Sequence, residues 1–319
     1  MKCRVCKAKA NVYLRYANAA FCKEHFIEFF ERRVKRAIEK FKMIGKGDKV
    51  VVAVSGGKDS LALLYVLNEL SKTMDFEILA VTIDLGIGEY SKLSVEIAEK
   101  NYKRLGVDYR IVELEDYGFT MDEVAKYKIS GRICGICGTA KRYILNKVAK
   151  EEGASRLATG HNLDDFLQVV LQGYLYGNLE DLARYYPVTP SLPGLVARIK
   201  PLVTTPEKDS LIYTIARGIK YVVMECPYSL RASSQDLKNA IFYLEERRPG
   251  TRFSMFNTYV KMIYPLIRKA YFKSGVLKKC KECGEPTNAD ICLFCRVKNS
   301  VSAKRRLEKY FSDFHVHFS

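Results

Sequence analysis

Residues 51–60 read V-V-A-V-S-G-G-K-D-S, and their types and order suit an oxyanion. A β-branched run stops at Ser55-Gly56-Gly57, and a helical pattern (Leu61, Leu63, Leu64, Leu67) starts just after Asp59. That is a buried strand, a tight turn and a helix N-terminus. Unpaired backbone N–H groups and the positive end of the helix dipole stabilise an anion there. Gly56 and Gly57 let the backbone approach it closely, Lys58 adds a charge, and Ser55 and Ser60 add hydroxyl donors. Neither G-x-x-x-x-G-K-[ST] nor G-x-G-x-x-G is present, so this is not one of the commoner nucleotide loops.

The second chemical resource is ten cysteines. Cys3-x-x-Cys6 with Cys22-x-x-His25 supplies three thiolates and an imidazole, a closed tetrahedral set suited to structural zinc. Cys280-x-x-Cys283 and Cys292-x-x-Cys295, with eight residues between the pairs, form a zinc-ribbon signature, and Gly284 suits its knuckle. Three cysteines remain: Cys134 and Cys137 in C-G-I-C ahead of a helix at 139–151, and Cys226 in E-C-P. Two of them can form a redox disulfide or carry a persulfide. All three can instead ligate a [4Fe–4S] cluster with one iron left open, and inert buried thiols are the plainest alternative. Lys141 lies four residues beyond Cys137 on the same helical face, which puts a cation beside the sulfur site, although a surface lysine fits the pattern too.

Alternating strands and helices must position these groups, the pattern of a parallel sheet with helices on both faces. Strands are expected at 50–54, 76–84, 109–114, 155–159 and 221–224, and helices at 59–71 and 91–105. Ligands of open α/β sheets bind at the carboxyl ends of the strands. That edge receives the 51–60 loop, Ile83 and Asp84, the G-H-N-L-D-D segment (Gly160, His161, Asn162, Asp164, Asp165), and Cys226 at the end of the fifth strand. Asp164 and Asp165 open a helix, where carboxylates commonly serve as caps. An amphipathic helix from Phe26 to Phe41 carries Arg and Lys on its polar face and ends near Gly45-Lys46-Gly47. The expected units are therefore 1–46, an N-terminal zinc finger and basic helix; 47–270, the catalytic α/β domain; and 271–319, a zinc ribbon and basic tail. The terminal Phe314-His315-Val316-His317 reads as exposed tail.

Against 36 Asp and Glu stand 53 Lys and Arg, a formal charge of +17, which points to a polyanionic partner. Basic runs lie at 32–36, 247–248, 268–281 and 304–306, the last two interleaved with aromatics, and together they favour RNA. No apolar run reaches membrane-span length and Met1-Lys2-Cys3 is no signal peptide, so a cytoplasmic protein is expected. Only three glutamines occur, a scarcity that fits a heat-adapted source.

S-G-G-K-D-S after a hydrophobic strand resembles the PP-loop of the ATP-pyrophosphatases, and G-H-x-x-D-D resembles the second motif of their tRNA-thiolating members. With C-x-x-C…C-x-x-H, I-C-G-I-C-G, E-C-P and the four-cysteine ribbon, nearly the whole chain resembles the TtuA-type tRNA 2-thiouridine synthetases, of the same group as the TtcA enzymes. The resemblance implies the adenine nucleotide alpha hydrolase-like PP-loop fold flanked by the two zinc modules, and a homodimer. It implies ATP with Mg²⁺ on Ala53, Val54, Ser55, Gly56, Gly57, Lys58, Asp59 and Ser60, with Ile83, Lys141, Gly160, His161 and Asp165 around it. Residues 198–202, R-I-K-P-L, match a further loop of that superfamily. An oxygen-sensitive [4Fe–4S] cluster would sit on Cys134, Cys137 and Cys226. The implied catalytic residues are Lys58, Asp59, Lys141, Asp165, Cys137 and Cys226. The implied reaction is adenylation of a uridine C2 oxygen, then sulfur transfer that yields 2-thiouridine, AMP and pyrophosphate. The sulfur would come from a ubiquitin-like carrier protein with a C-terminal thiocarboxylate, or from inorganic sulfide. The T-loop uridine at position 54 of tRNA is the favoured target, the wobble uridine at position 34 the alternative. A non-catalytic RNA-binding protein would have no use for an intact S-G-G-K-D-S, and a small-molecule PP-loop synthetase no use for the basic runs.

Overall fold

The computed structural model describes residues 1–229, 234–273 and 277–315. Val316 and His317 of the expected tail lie outside them. The N-terminal module is a short antiparallel hairpin, β1 (Val12–Leu14) and β2 (Ala19–Phe21), followed by α1 (Lys23–Lys40). Asn18 makes the turn at a left-handed φ of 43°, which its short polar side chain tolerates. α1 buries Phe26, Phe30, Val34, Ala37 and Ile38, the i, i+4, i+8 stripe expected of an amphipathic helix.

Then come β3 (Asp48–Ala53), α2 (Lys58–Ser71), β4 (Phe76–Asp84), α3 (Gly88–Leu105), β5 (Tyr109–Glu113), α4 (Met121–Lys126), α5 (Ile133–Glu151) and β6 (Arg156–Ala158). α6 (Leu163–Leu175), α7 (Leu179–Leu182), β7 (Val188–Thr189), β8 (Ala197–Ile199) and α8 (Glu207–Arg217) complete the nucleotide-domain core. The sheet order is β5-β4-β3-β6-β8-β7, parallel except for the antiparallel β7–β8 pair. β3 is central and covered on both faces: Val50, Val52 and Val54 pack on the side of α1 and α2, and Val51 on the side of α5. Burial on two faces explains why that strand is a continuous apolar run rather than an alternating one.

Four expectations are corrected. Residues 221–224 are not a strand; Gly218 ends α8 in a left-handed turn, and the extended chain that follows gives its Val222 N–H to the Gly56 carbonyl at 2.9 Å. The sheet position beside β6 is filled by β8, so Arg198 and Ile199, expected in a loop, lie on a strand, with a 3₁₀ turn (Pro201–Thr204) after it. The helix of the C-G-I-C segment starts at Ile133 rather than 139, so Cys134 and Cys137 sit in its first two turns. α3 likewise begins at Gly88, three residues before the expected start.

α9 (Ser234–Arg247), α10 (Thr251–Thr258), a π-helical turn (Tyr259–Ile263) and α11 (Tyr264–Tyr271) follow, then the β9 (Lys278–Lys279) and β10 (Pro286–Thr287) ribbon and α12 (Leu293–His315). Neither terminal module hangs free. Leu14, Phe21, Phe26 and Phe30 belong to the same buried cluster as α2 and α6, and Phe30 stacks on Tyr213 of α8 with ring centres 4.4 Å apart. Arg33 of α1 pairs with buried Asp209 at 3.3 Å and lies over the rings of Tyr16, Phe29 and Phe253. At the other end Phe294 stacks on Tyr143 of α5 at 3.9 Å, and Arg305 pairs with Glu123. Replacing Phe30 by Ala removes a fully buried ring from the seam between module and domain. We expect a loss of about 3–5 kcal/mol, read as a lower urea midpoint in equilibrium denaturation.

Candidate nucleotide and sulfur site

The phosphate loop is built by its own hydroxyls. Ser60 Oγ donates to the Gly57 carbonyl at 2.9 Å and accepts from the Ser55 N–H at 3.1 Å, closing the turn on itself. Gly57 is the N-cap of α2 and no side chain caps it, so the first N–H groups of the helix face the cavity rather than a protein acceptor. Gly56 takes φ of 75°, and a Cβ there would meet the Ser94 carbonyl at 2.8 Å; its part is to make the turn. Thr82 Oγ1 donates to the Val54 carbonyl at 2.9 Å and fixes the end of β3 against β4.

A cavity of about 500 Å³ opens at this edge. It is lined by Ala53, Val54, Ser55, Gly57, Lys58, Asp59, Ser60, Ile83, Lys141, Gly160 and His161, all expected there, together with Arg142, Leu145, Thr159 and Tyr221. Gly56 and Asp165, also expected there, are not among the lining residues. β6 delivers Gly160 so close to α2 that a Cβ would meet the Ser60 nitrogen at 2.9 Å, which explains a glycine at the start of G-H-N-L-D-D.

Below the loop lies a charge network only half visible in the sequence. Asn162 caps α6 in a reciprocal box with Asp165, its side chain accepting from the Asp165 N–H at 3.0 Å while the Asp165 carboxylate accepts from the Asn162 N–H at 3.1 Å. The capping expectation for Asp165 therefore holds, but the carboxylate also takes Lys238 of α9 at 2.6 Å. Lys238 reaches Glu207 at 3.2 Å, and Glu207 takes Lys58 at 2.6 Å, which contacts Asp59 at 2.9 Å. Asp164 is buried, paired with Arg252 at 2.6 Å, and accepts the Glu207 N–H at 2.7 Å, fixing the start of α8. Burial pushes the Asp59 carboxyl up despite Lys58. Burial also works on Glu207, but Lys58 and Lys238 outweigh it and hold that carboxyl down. Glu207, Lys238 and Arg252 carried no local signal; each reads as an ordinary surface charge on its own helix.

The opposite wall is different. Lys141, Arg142 and Arg198 have no carboxylate within ion-pair distance among the described residues. Burial lowers the Arg142 and Arg198 pKa values, with Arg142 adding to the effect on Arg198. Burial and Arg198 bring Lys200 down to about 8. Burial likewise lowers His161, opposed by Asp165 and reinforced by Lys200, Arg198 and Lys238. Clustered cations without counterions favour a bound anion.

Cys134, Cys137 and Cys226 lie beyond Lys141. Cys134 Sγ faces the Tyr228 carbonyl at 3.5 Å; burial raises the Cys137 thiol, Lys141 opposes this, and the Cys226 and Cys134 charges add to it. Tyr228 in turn donates to Asp122 at 2.7 Å, which ties the Cys226 segment to α4. Among the described residues only the two terminal sets, Cys3/Cys6/Cys22/His25 and Cys280/Cys283/Cys292/Cys295, gather their donor atoms within 4.8 Å of one another, the fit for a single ion. Burial raises Cys3 and Cys280, yet knuckle N–H groups (Cys6, Cys22 and Val5; Cys292, Cys283 and Glu282) bring each to about 6, as a thiolate ligand requires. The wider-set trio suits a polynuclear centre, in which each thiolate holds its own iron.

A parallel sheet with a glycine-rich anion loop at its carboxyl edge, outside both common nucleotide fingerprints, defines a PP-loop nucleotide-binding protein. Comparison with known proteins agrees: a PP-loop domain matches residues 27–226, and the N-terminal LIM domain of 2-thiouridine synthetase TtuA matches residues 2–27. The chain is 40% identical to the tRNA-5-methyluridine(54) 2-sulfurtransferase of Thermus thermophilus, over 97% of this chain and 94% of that one. It is 39% identical to the protein of the same name from Pyrococcus horikoshii, over 93% of each. The U34-tRNA thiolase NcsA of Methanococcus maripaludis, solved with its [4Fe–4S] cluster, superposes with a TM-score of 0.78 at 32% identity, covering 92% of this chain and 95% of that one. The chain belongs to the TtuA/NcsA family of PP-loop tRNA 2-thiolation enzymes.

Gly160→Ala tests the loop geometry directly. The added methyl must displace the start of α2, so ATP affinity in equilibrium binding should fall at least about tenfold with the metal content unchanged. Unaltered affinity would mean that β6 does not set the loop.

Proposed function

We propose that this chain is an ATP-dependent tRNA-uridine 2-sulfurtransferase acting on the T-loop 5-methyluridine at position 54. The observation that carries the reading is one sheet edge holding an anion loop, an unneutralised cation wall and three cysteines outside the two terminal metal sets. Position 54 is favoured because the relatives named for it reach 40%, 39% and 37% identity, whereas the position-34 thiolase structure stands at 32%. Its overall likeness keeps the wobble uridine as the second reading.

ATP with Mg²⁺ would lie on residues 53–60, its adenine near Ile83, with cavity-lining Asp59, and Asp165 once released from Lys238, the carboxylates for the metal. The uridine C2 oxygen attacks the α phosphate, a P–O bond forms and pyrophosphate leaves; sulfur then attacks C2 and AMP leaves. Lys58 and Lys141 would offset the charge that develops on the transferring group. Glu207 holds Lys58 and Lys238 in position, so its amide variant should misplace both. A [4Fe–4S] cluster on Cys134, Cys137 and Cys226 supplies, when bound, an iron without a protein ligand that can hold sulfide. Zinc belongs on the two terminal sets as rigid scaffolding. The divisions 1–46, 47–270 and 271–319 then serve as RNA-facing modules around a catalytic domain. Sulfur arrives on a thiocarboxylated ubiquitin-like protein or as sulfide. Exposed Phe242, Leu244, Met262 and Leu266 on α9–α11 support a homodimer. No helix of the described residues is long and apolar enough to cross a membrane, which accords with the cytoplasmic site proposed.

Three measurements test this. Thiolation of transcripts in which only position 54 or only position 34 is altered, read by nucleoside mass spectrometry, should be abolished by the first change alone; loss with the second alone selects the wobble reading. Anaerobic preparations should hold about four iron and about two zinc per chain, with iron alone lost in Cys134→Ala, Cys137→Ala and Cys226→Ala. Zinc without iron after reconstitution would leave a persulfide route. Glu207→Gln should lower tRNA-stimulated pyrophosphate release about 10- to 100-fold.

A further inference from the structure

A second cavity, of about 600 Å³, lies between the first zinc knuckle, α1 and the 3₁₀ turn after β8. Its wall is formed by Arg4, Arg32, Arg36 and Lys40. Arg32, Arg36 and Lys40 recur every four residues on α1 and so form one stripe. Arg4 faces them from the knuckle, its N–H held by the Ala20 carbonyl at 2.8 Å. Opposing charge is nearly absent: Glu28 stands 3.9 Å from Arg32, both well exposed, and among the described residues Arg4, Arg36 and Lys40 have no carboxylate partner. The floor is Phe21 stacked on Phe29 at 4.8 Å, with the Arg33 guanidinium over Phe29 and already neutralised by Asp209. Thr204 Oγ1, which lines the same cavity, is cut off from solvent with no hydrogen-bond partner.

We propose that this groove is a second RNA site, separate from the nucleotide pocket, that grips the sugar-phosphate backbone of the tRNA on which the proposed reaction acts. The stripe is about 12 Å long, enough for about three successive phosphates at a rise of about 3.4 Å each. An aromatic floor under a cation wall suits a sugar-phosphate chain better than an acidic protein face, which spreads its charge over a broader surface. Lys200, whose charge acts on His161 of the nucleotide cavity, and Thr204 in the groove are four residues apart, at most about 14 Å of chain, so one RNA can span the two sites. Arg4 sits between zinc ligands Cys3 and Cys6, so the metal orders one wall of the groove.

The test is fluorescence anisotropy of full-length tRNA with the metal-loaded protein across a salt series, comparing wild type with Arg4→Ala, Arg36→Ala, Lys40→Ala and the charge-keeping Arg36→Lys. Each alanine should raise the tRNA Kd about three- to tenfold and flatten the log Kd against log salt slope by about one. Arg36→Lys should restore most of both, and retained ATP binding shows that the fold survives. A Kd and slope within twofold of wild type in all three alanine variants overturns the groove, as does a loss confined to the KM of a sulfur-carrying protein. Wild type that binds no tRNA would reject the proposed function itself.

Discussion

A phosphate bound at the start of α2 must come within hydrogen-bond distance of main-chain N–H groups, and much of the domain answers to that requirement. Side chains have to be cleared from the approach. Gly57 therefore caps α2 without a side-chain acceptor, Gly56 turns the chain at a positive φ, and Gly160 lets β6 come against Ser60 without a Cβ between them. Only hydroxyls remain close, and they face inward to tie the loop together. The segment misread as a fifth strand serves the same end: it gives its N–H to the Gly56 carbonyl and so braces the turn from outside.

Around that opening charge is divided rather than balanced. On one side Lys58 and Lys238 are held among Asp59, Asp165 and Glu207, an arrangement that keeps two buried ammonium groups charged and in fixed positions. On the other, Lys141, Arg142, Arg198 and Lys200 crowd together without carboxylates, and burial weakens the hold of Arg142, Arg198 and Lys200 on the proton. Desolvated like charges are costly unless something pairs with them. The cost falls when a polyphosphate or an RNA phosphate enters, so the free site is less stable than the bound one, and its strain is relieved by the ligand it is meant to select.

Local order was legible in the sequence where one segment carries the whole feature. The S-G-G-K-D-S loop and the Asn162–Asp165 box need only residues adjacent in the chain, and each four-ligand metal set only two C-x-x-C or C-x-x-H pairs within about 25 residues. What could not be read depends on which helices meet. Glu207 and Lys238 belong to helices whose own patterns assign them to solvent, and only the packing of α8 on α2 and of α9 on α6 brings them to Lys58 and Asp165. The run at 221–224 failed for a related reason: V-V-M has strand propensity, but its edge was already occupied by β8, and propensity yields to that competition. The cysteine trio sits between these cases, since the helix start at Ile133 rather than 139 moves Cys134 and Cys137 from a loop into the first turns of α5.

The two terminal metal sets are joined to opposite faces of one sheet. Phe30 anchors the N-terminal module on the α2 side, and Phe294 and Arg305 anchor the ribbon on the α5 side. α5 also carries Cys134, Cys137, Lys141 and Arg142. A helix that carries two cysteines of the trio and the cavity-lining Lys141 and Arg142 has to stay fixed along its length, and the Tyr143–Phe294 stack holds it just past Arg142. The ribbon thus bears on a cavity it does not touch, by holding still the helix that lines it and carries Cys134 and Cys137.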